Sequence, residues 1–287
     1  MSSSLLISPA EFHAARETSS RRIVPVAAGR AELLASYQQE HIPGSIFFNM
    51  DIIVDTTSPY PQMLPTAGHF AKCMGELGVR PDDVLVVYDT ADVGMYSAPR
   101  VAWACRFFGH ESVHVLNNFR LYVQQGYPVS HGKLASLPGP TVYPVREPAK
   151  EQVVDFDELK DIIIHGGMEY QIVDARIPGR FSGVQAEADP SLRSGHMPSA
   201  INIPLAAMLD PTTKTFLPLL ELKDLFGSAG VHDQKPFILT CNSGVTAAAL
   251  DLALQETGFR MPRRIYDGSW MEWTRRASPE LVATDSV

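Results

Sequence analysis

The chain has 287 residues and is 45% hydrophobic, enough apolar material for one large core or two ordinary ones, and two domains are expected from that length. Its 24 Lys and Arg stand against 32 Asp and Glu, a formal net charge of -8, and no Lys/Arg block exceeds the pairs Arg21-Arg22 and Arg263-Arg264, which argues against nucleic acid as a partner. Cys73, Cys105 and Cys241 are an odd number without CxxC spacing, so neither a disulfide framework nor a zinc site is expected, and a reducing compartment fits best.

In chain order, the N-terminal stretch lacks a basic region followed by a long apolar one, so no secretory leader is expected; the cytoplasm is the expected location and the mitochondrion the alternative. No run approaches the roughly 20 apolar residues of a membrane helix, so no membrane partner is expected. His41-Ile42-Pro43-Gly44-Ser45-Ile46 comes next, then a tract over 51–63 in which Pro59 and Pro61 block regular structure. The apolar run 84–89 predicts a buried strand, 98–108 a helix and 113–116 a strand, followed by Asn117-Asn118-Phe119-Arg120. Residues 131–151, with Pro138, Pro140, Pro144 and Pro148, read as an extended linker.

The second half repeats the first. His196-Met197-Pro198-Ser199-Ala200-Ile201 echoes the earlier His-Pro segment; a strand at 236–241, a helix over 245–257 and a strand at 264–266 then lead to Asp267-Gly268-Ser269-Trp270. Short apolar strands alternating with helices predict α/β domains, each a mainly parallel sheet with helices on both faces. The domains are placed at 1–135 and 151–287, with a linker over 136–150.

Cys241 follows strand-like residues and precedes a helix, a place where amide N–H groups favour a reactive thiolate. Asn242, Ser243 and Gly244 are small enough for their amides to curl around one sulfur, and Thr246 adds a hydroxyl. Local sequence leaves this reading level with that of a buried structural cysteine. Phosphatase chemistry requires an arginine six residues after the cysteine, and Ala247 occupies that position.

These segments, together with Ala98-Pro99-Arg100-Val101, Asp174-Ala175-Arg176, Gly179-Arg180-Phe181 and Cys241-Asn242-Ser243-Gly244-Val245-Thr246, resemble the tandem-domain rhodanese and 3-mercaptopyruvate sulfurtransferases over nearly the whole chain. The resemblance implies two rhodanese-like domains of which the C-terminal one is catalytic, because Asp89 stands where the first repeat would have its cysteine. It implies sulfur transfer from a small-molecule donor through a Cys241 persulfide to thioredoxin, another thiol or cyanide, with no metal or organic cofactor.

Thiosulfate-using members carry two cations after the cysteine; Asn242 and Ser243 supply none, which favours 3-mercaptopyruvate as donor, with thiosulfate or a sulfur-relay module as alternatives. Arg180, with Asn242, Gly244, Val245 and Thr246, is expected to bind substrate, the guanidinium taking a carboxylate through two hydrogen bonds. A second family arginine, nine residues beyond Arg180, is here Asp189, with Arg193 nearby. The resemblance also implies catalytic roles for Ser243 and Asp51 in a relay with a histidine, but Gln62 stands at the histidine position, and glutamine cannot act as a base near neutral pH. Arg176 and His196 are expected to be structural, and Trp270 and Trp273 to pack the end of the domain.

Overall fold

The computed structural model describes residues 4–90, 94–133, 139–166 and 169–285. Two compact units result: Met1–Thr57, Leu64–Ala149 and Pro211–Phe216 form one; Ser58–Met63, Lys150–Asp210 and Leu217–Val287 form the other.

The first unit contains, in chain order, β1 (Leu6–Ile7), α1 (Pro9–Thr18), β2 (Ile23–Gly29), α2 (Leu34–Gln39), β3 (Ile46–Asn49), α3 (Ala67–Glu76), β4 (Val84–Asp89), α4 (Ala98–Phe107), β5 (Val113–Leu116) and α5 (Phe119–Gln124). The second contains β6 (Val153–Val154), α6 (Phe156–Asp161), β7 (Gln171–Asp174), α7 (Pro178–Ser182), β8 (Ile201–Asn202), α8 (Leu219–Ser228), β9 (Phe237–Thr240), α9 (Ala247–Glu256), β10 (Arg263–Tyr266) and α10 (Ser269–Arg276). The two sheets have the same order, β1-β5-β4-β2-β3 and β6-β10-β9-β7-β8, and every pairing is parallel. The predicted parallel α/β architecture is the observed one. β4 and β9 are the central strands, and every residue of both is buried, as helices on both faces of a parallel sheet require.

The internal repeat reaches single side chains. His41 forms an isolated antiparallel bridge with Ser130, its Nδ1 bonds the Tyr37 carbonyl at 2.9 Å, and its ring stacks on Tyr37. His196 bridges Ala283, its Nδ1 bonds the Phe181 carbonyl at 2.9 Å, and its ring stacks on Phe181. Both rings brace a turn, as expected for His196. Asn118 and Ser269, which precede Phe119 and Trp270, share a left-handed backbone with φ of 80° and 48°.

Of the stretch expected to be a linker, residues 134–138 lie outside the described residues. Residues 139–149 run as a strap on the first unit, whose last contiguous residue is Ala149. Thr141 N donates to Gly75 O at 2.9 Å, buried Tyr143 bonds His110 at 2.7 Å, and Ala149 N donates to Phe107 O at 2.9 Å.

Candidate active site

β9 ends at Thr240, so Cys241 is the first residue beyond the central strand of the second sheet, at the carboxyl edge where parallel sheets place their ligands. Residues 241–246 form a tight loop before α9. Gly244 turns it with φ 76°, a conformation that glycine adopts at no steric cost, and the helix starts at Ala247 rather than Val245 because Val245 and Thr246 complete the curl. Cys241 is 2% exposed.

The carbonyls of this loop are held from α10. Trp270 N donates to Cys241 O and Met271 N to Asn242 O, both at 3.0 Å, so first-turn amides that α10 cannot use internally take up two loop carbonyls. Ser269, fully buried, accepts from Cys241 N at 3.2 Å and from Thr240 Oγ1 at 3.3 Å, and donates to Tyr266 O at 2.8 Å. With the carbonyls engaged in this way, the amides of Asn242, Ser243, Val245 and Thr246 have no protein acceptor among the described residues. The carboxamide oxygen of Asn242 is likewise buried without a partner.

The first unit handles the same place differently. Asp89 ends its central strand, and its buried carboxylate accepts from Tyr96 N and Ser97 N at 2.7 Å and from Ala98 N at 3.2 and 3.3 Å, capping the start of α4. Burial raises its pKa to about 7 against the opposing pull of those amides. A strand-to-helix corner of this fold thus gathers amides on one acceptor, and here the acceptor is the protein's own.

Arg180 lies on α7, just beyond β7, whose Asp174 pairs with Thr240 of β9; Ala175 N also donates to Thr240 O at 2.9 Å. The arm bearing Arg180 therefore springs from the strand beside the cysteine strand, about 4.8 Å away. Its Nε is 3.6 Å from Glu187 Oε2 without forming a hydrogen bond, and its side chain is 28% exposed. Arg176 is buried: it forks onto Asp174 at 2.7 and 2.9 Å, meets Glu187 Oε1 at 3.0 Å and Gly195 O at 2.7 Å, and stacks on the Trp270 ring at 3.9 Å. That is the structural role expected of it.

Asp51 belongs to the first unit, where it accepts from Arg30 Nε at 2.9 Å and Ala31 N at 2.8 Å. Ser243 and Gln62 belong to the second, Gln62 with a left-handed φ of 63°. Asp189 pairs with Arg275 at 2.9 Å and bonds Ser191. Arg193 donates to Thr274 O and Ala277 O, both at 2.7 Å, closing the end of α10, so this cation next to Asp189 is committed to backbone.

The roles of Ser269 and Glu187 are not visible in the sequence. Ser269 lies in a noted motif, but its contact with Cys241 spans 28 residues and exists only once β9 and β10 pair. Among the described residues no group of His, Cys, Asp and Glu could hold a metal ion, and no helix is long and apolar enough to cross a membrane.

The family model described as rhodanese-like domain matches twice, over residues 8–119 and 155–276. The 3-mercaptopyruvate sulfurtransferase of Mus musculus is 40% identical over 252 residues, covering 87% of this chain and 82% of that protein. The thiosulfate sulfurtransferase of Rattus norvegicus is 39% identical over 259 residues, with 88% and 83% covered. The crystal structure of the Tum1 protein from Saccharomyces cerevisiae superposes with a TM-score of 0.91 at 35% identity, covering all of both chains.

Proposed function

The chain belongs to the rhodanese-like family of 3-mercaptopyruvate and thiosulfate sulfurtransferases, and from that premise we propose that it moves a sulfur atom from 3-mercaptopyruvate to a thiol or cyanide acceptor through a persulfide on Cys241. The observation that carries this reading is the set of amides in the Cys241 loop that have no protein acceptor among the described residues, at a corner whose counterpart in the first unit closes on the Asp89 carboxylate.

In the forward half-reaction the Cys241 thiolate attacks the donor thiol sulfur. A sulfur–sulfur bond forms, the carbon–sulfur bond breaks, and its electron pair passes into the enolate of pyruvate. The enolate takes the proton that the donor thiol carried. Pyruvate leaves, and a persulfide anion remains where the loop amides and the Thr246 hydroxyl can hold it. An acceptor thiolate such as that of thioredoxin then attacks the outer sulfur and returns Cys241 as thiolate; cyanide does the same and leaves as thiocyanate. Arg180 offers a planar guanidinium for the donor carboxylate, and Asn242, Gly244 and Val245 line the sulfur. Ser243, two residues after the nucleophile, would steer the donor thiol. Asp51, engaged with Arg30, would orient groups rather than accept a proton.

Near-equal identity to thiosulfate sulfurtransferases supports thiosulfate as the alternative donor. A relay module with little small-molecule turnover is the other reading. Three free cysteines suit a reducing compartment, the cytoplasm or the mitochondrion. Intact mass spectrometry after incubation with each donor is the test. A gain of one sulfur, absent in Cys241→Ser and larger with 3-mercaptopyruvate, is expected; equal loading of the serine variant would refute the persulfide. A persistently loaded Cys241 with negligible turnover of both donors would favour relay.

A further inference from the structure

One buried carboxylate joins the arm that bears Arg180 to the loop that bears Cys241. Glu187 has its side chain 1% exposed and divides its two oxygens between two guanidiniums: Oε1 meets Arg176 at 3.0 Å, while Oε2 stands 3.6 Å from Arg180 Nε. Arg176 passes the constraint on, because its guanidinium lies on the Trp270 ring at 3.9 Å and Trp270 N holds the carbonyl of Cys241. Burial pushes the Glu187 carboxyl up, and both arginines oppose that shift.

The contact with Arg180 is electrostatic without being a hydrogen bond. Arg180 Nε is buried and unbonded, so Glu187 offsets the charge of this guanidinium without occupying it. Asp174 and Arg176 form a second, fully bonded pair beside it. The four side chains sum to zero charge. An anion bound at Arg180 therefore meets one cation and, 3.6 Å from its Nε, one buried carboxylate that water screens little.

We propose that Glu187 is a positioning and specificity-determining residue: it fixes the Arg180 arm and makes the site take monoanionic α-keto carboxylate donors in preference to dianionic ones. A second negative charge on the donor would be repelled by Glu187 at close range, and the loop 241–246 holds no Lys or Arg to offset it. This deepens the reading of Cys241 as a sulfur carrier and rests on it.

The test compares Glu187→Gln and Glu187→Asp with the parent enzyme on 3-mercaptopyruvate and on thiosulfate. Glu187→Gln removes the charge at nearly constant volume, so kcat/KM for thiosulfate relative to 3-mercaptopyruvate should rise about tenfold, mainly through KM for thiosulfate. Glu187→Asp keeps the charge and should keep the parental ratio. An unchanged ratio in Glu187→Gln, or equal changes in both variants, would overturn the proposal.

Should Glu187→Gln fail to fold, the unaltered protein answers through protection of Cys241 from iodoacetamide. Pyruvate should protect at lower concentration than sulfate; sulfate protecting equally well or better overturns the proposal. This readout needs no sulfur transfer. Failure of both donors to load Cys241 would defeat the transfer reading while the anion ranking still judged Glu187.

Discussion

At Arg180 the guanidinium has a buried, unbonded Nε, and in the proposed reaction it would meet the donor carboxylate; the predictions at this scale concern single side chains. Arg180→Gln keeps the bulk but loses the charged fork, and KM for 3-mercaptopyruvate is expected to rise about ten- to a hundredfold, the range of a charge-assisted bidentate contact. Steady-state kinetics measures it, with Tm as the control for folding. Asp89 gives a prediction about pH. Its carboxyl titrates at about 7 in the folded chain because burial opposes the charge more strongly than the amides favour it. A carboxyl raised by folding contributes stability that is complete below the ordinary carboxylate range and is lost as pH rises through about 7. Denaturant titrations from about pH 5 to about pH 8 should show unfolding free energy falling in the parent, with this component missing in Asp89→Asn. Cys241, its small-residue loop and Arg180 were legible in the sequence as candidates because each lies within a short motif. Glu187 was not, since nothing in a linear spacing of eleven residues from Arg176 announces a carboxylate shared by two arginines.

Helices and loops carry a second set of consequences. α10 works through its first turn, and Gly268 stands at the start of that turn. A Cβ there would overlap Glu272 Oε2 and lie 2.7 Å from Glu272 Cβ, a clash that side-chain rotation alone cannot relieve. Gly268→Ala should therefore cost about 1–3 kcal/mol of stability and shift the amide of Trp270 away from Cys241 O. Denaturant unfolding and the rate of Cys241 alkylation report the two effects separately. Gly75 sets up a second close approach, because its added Cβ would lie 2.5 Å from the Thr141 carbonyl. Gly75→Ala is expected to lift the 139–149 strap and lower Tm by several degrees. The periodicity of short buried strands and apolar helices announced the elements themselves. The strap read as an extended linker because proline excludes helix but does not reveal packing; Tyr143 and Arg146 attach it through contacts with His110 and Gly109.

At the scale of the whole molecule the repeat predicted the architecture well, since two halves with matched strand–helix patterns can bury those strands only as two covered parallel sheets. What it could not reveal is that each unit borrows a segment. Ser58–Met63 belongs with the second unit and Pro211–Phe216 with the first, where Asn118 Nδ2 donates to Thr213 O at 2.8 Å and Phe216 N to Asn117 Oδ1 at 3.0 Å. A fragment of residues 150–287 keeps Cys241 but loses 58–63. It should melt below the intact chain and turn over 3-mercaptopyruvate more slowly, as differential scanning calorimetry and a pyruvate assay would record.

Asp89 also bears on the history open to this molecule. Two copies of one corner diverge easily while both are unfilled, but once a carboxylate ties Tyr96, Ser97 and Ala98 together the way back is steep. Cysteine at position 89 would surrender the cap before it could carry any sulfur, so the route to a second active copy passes through a less stable protein. The first unit is in that sense ratcheted: its own helix start holds the carboxylate at position 89 in place.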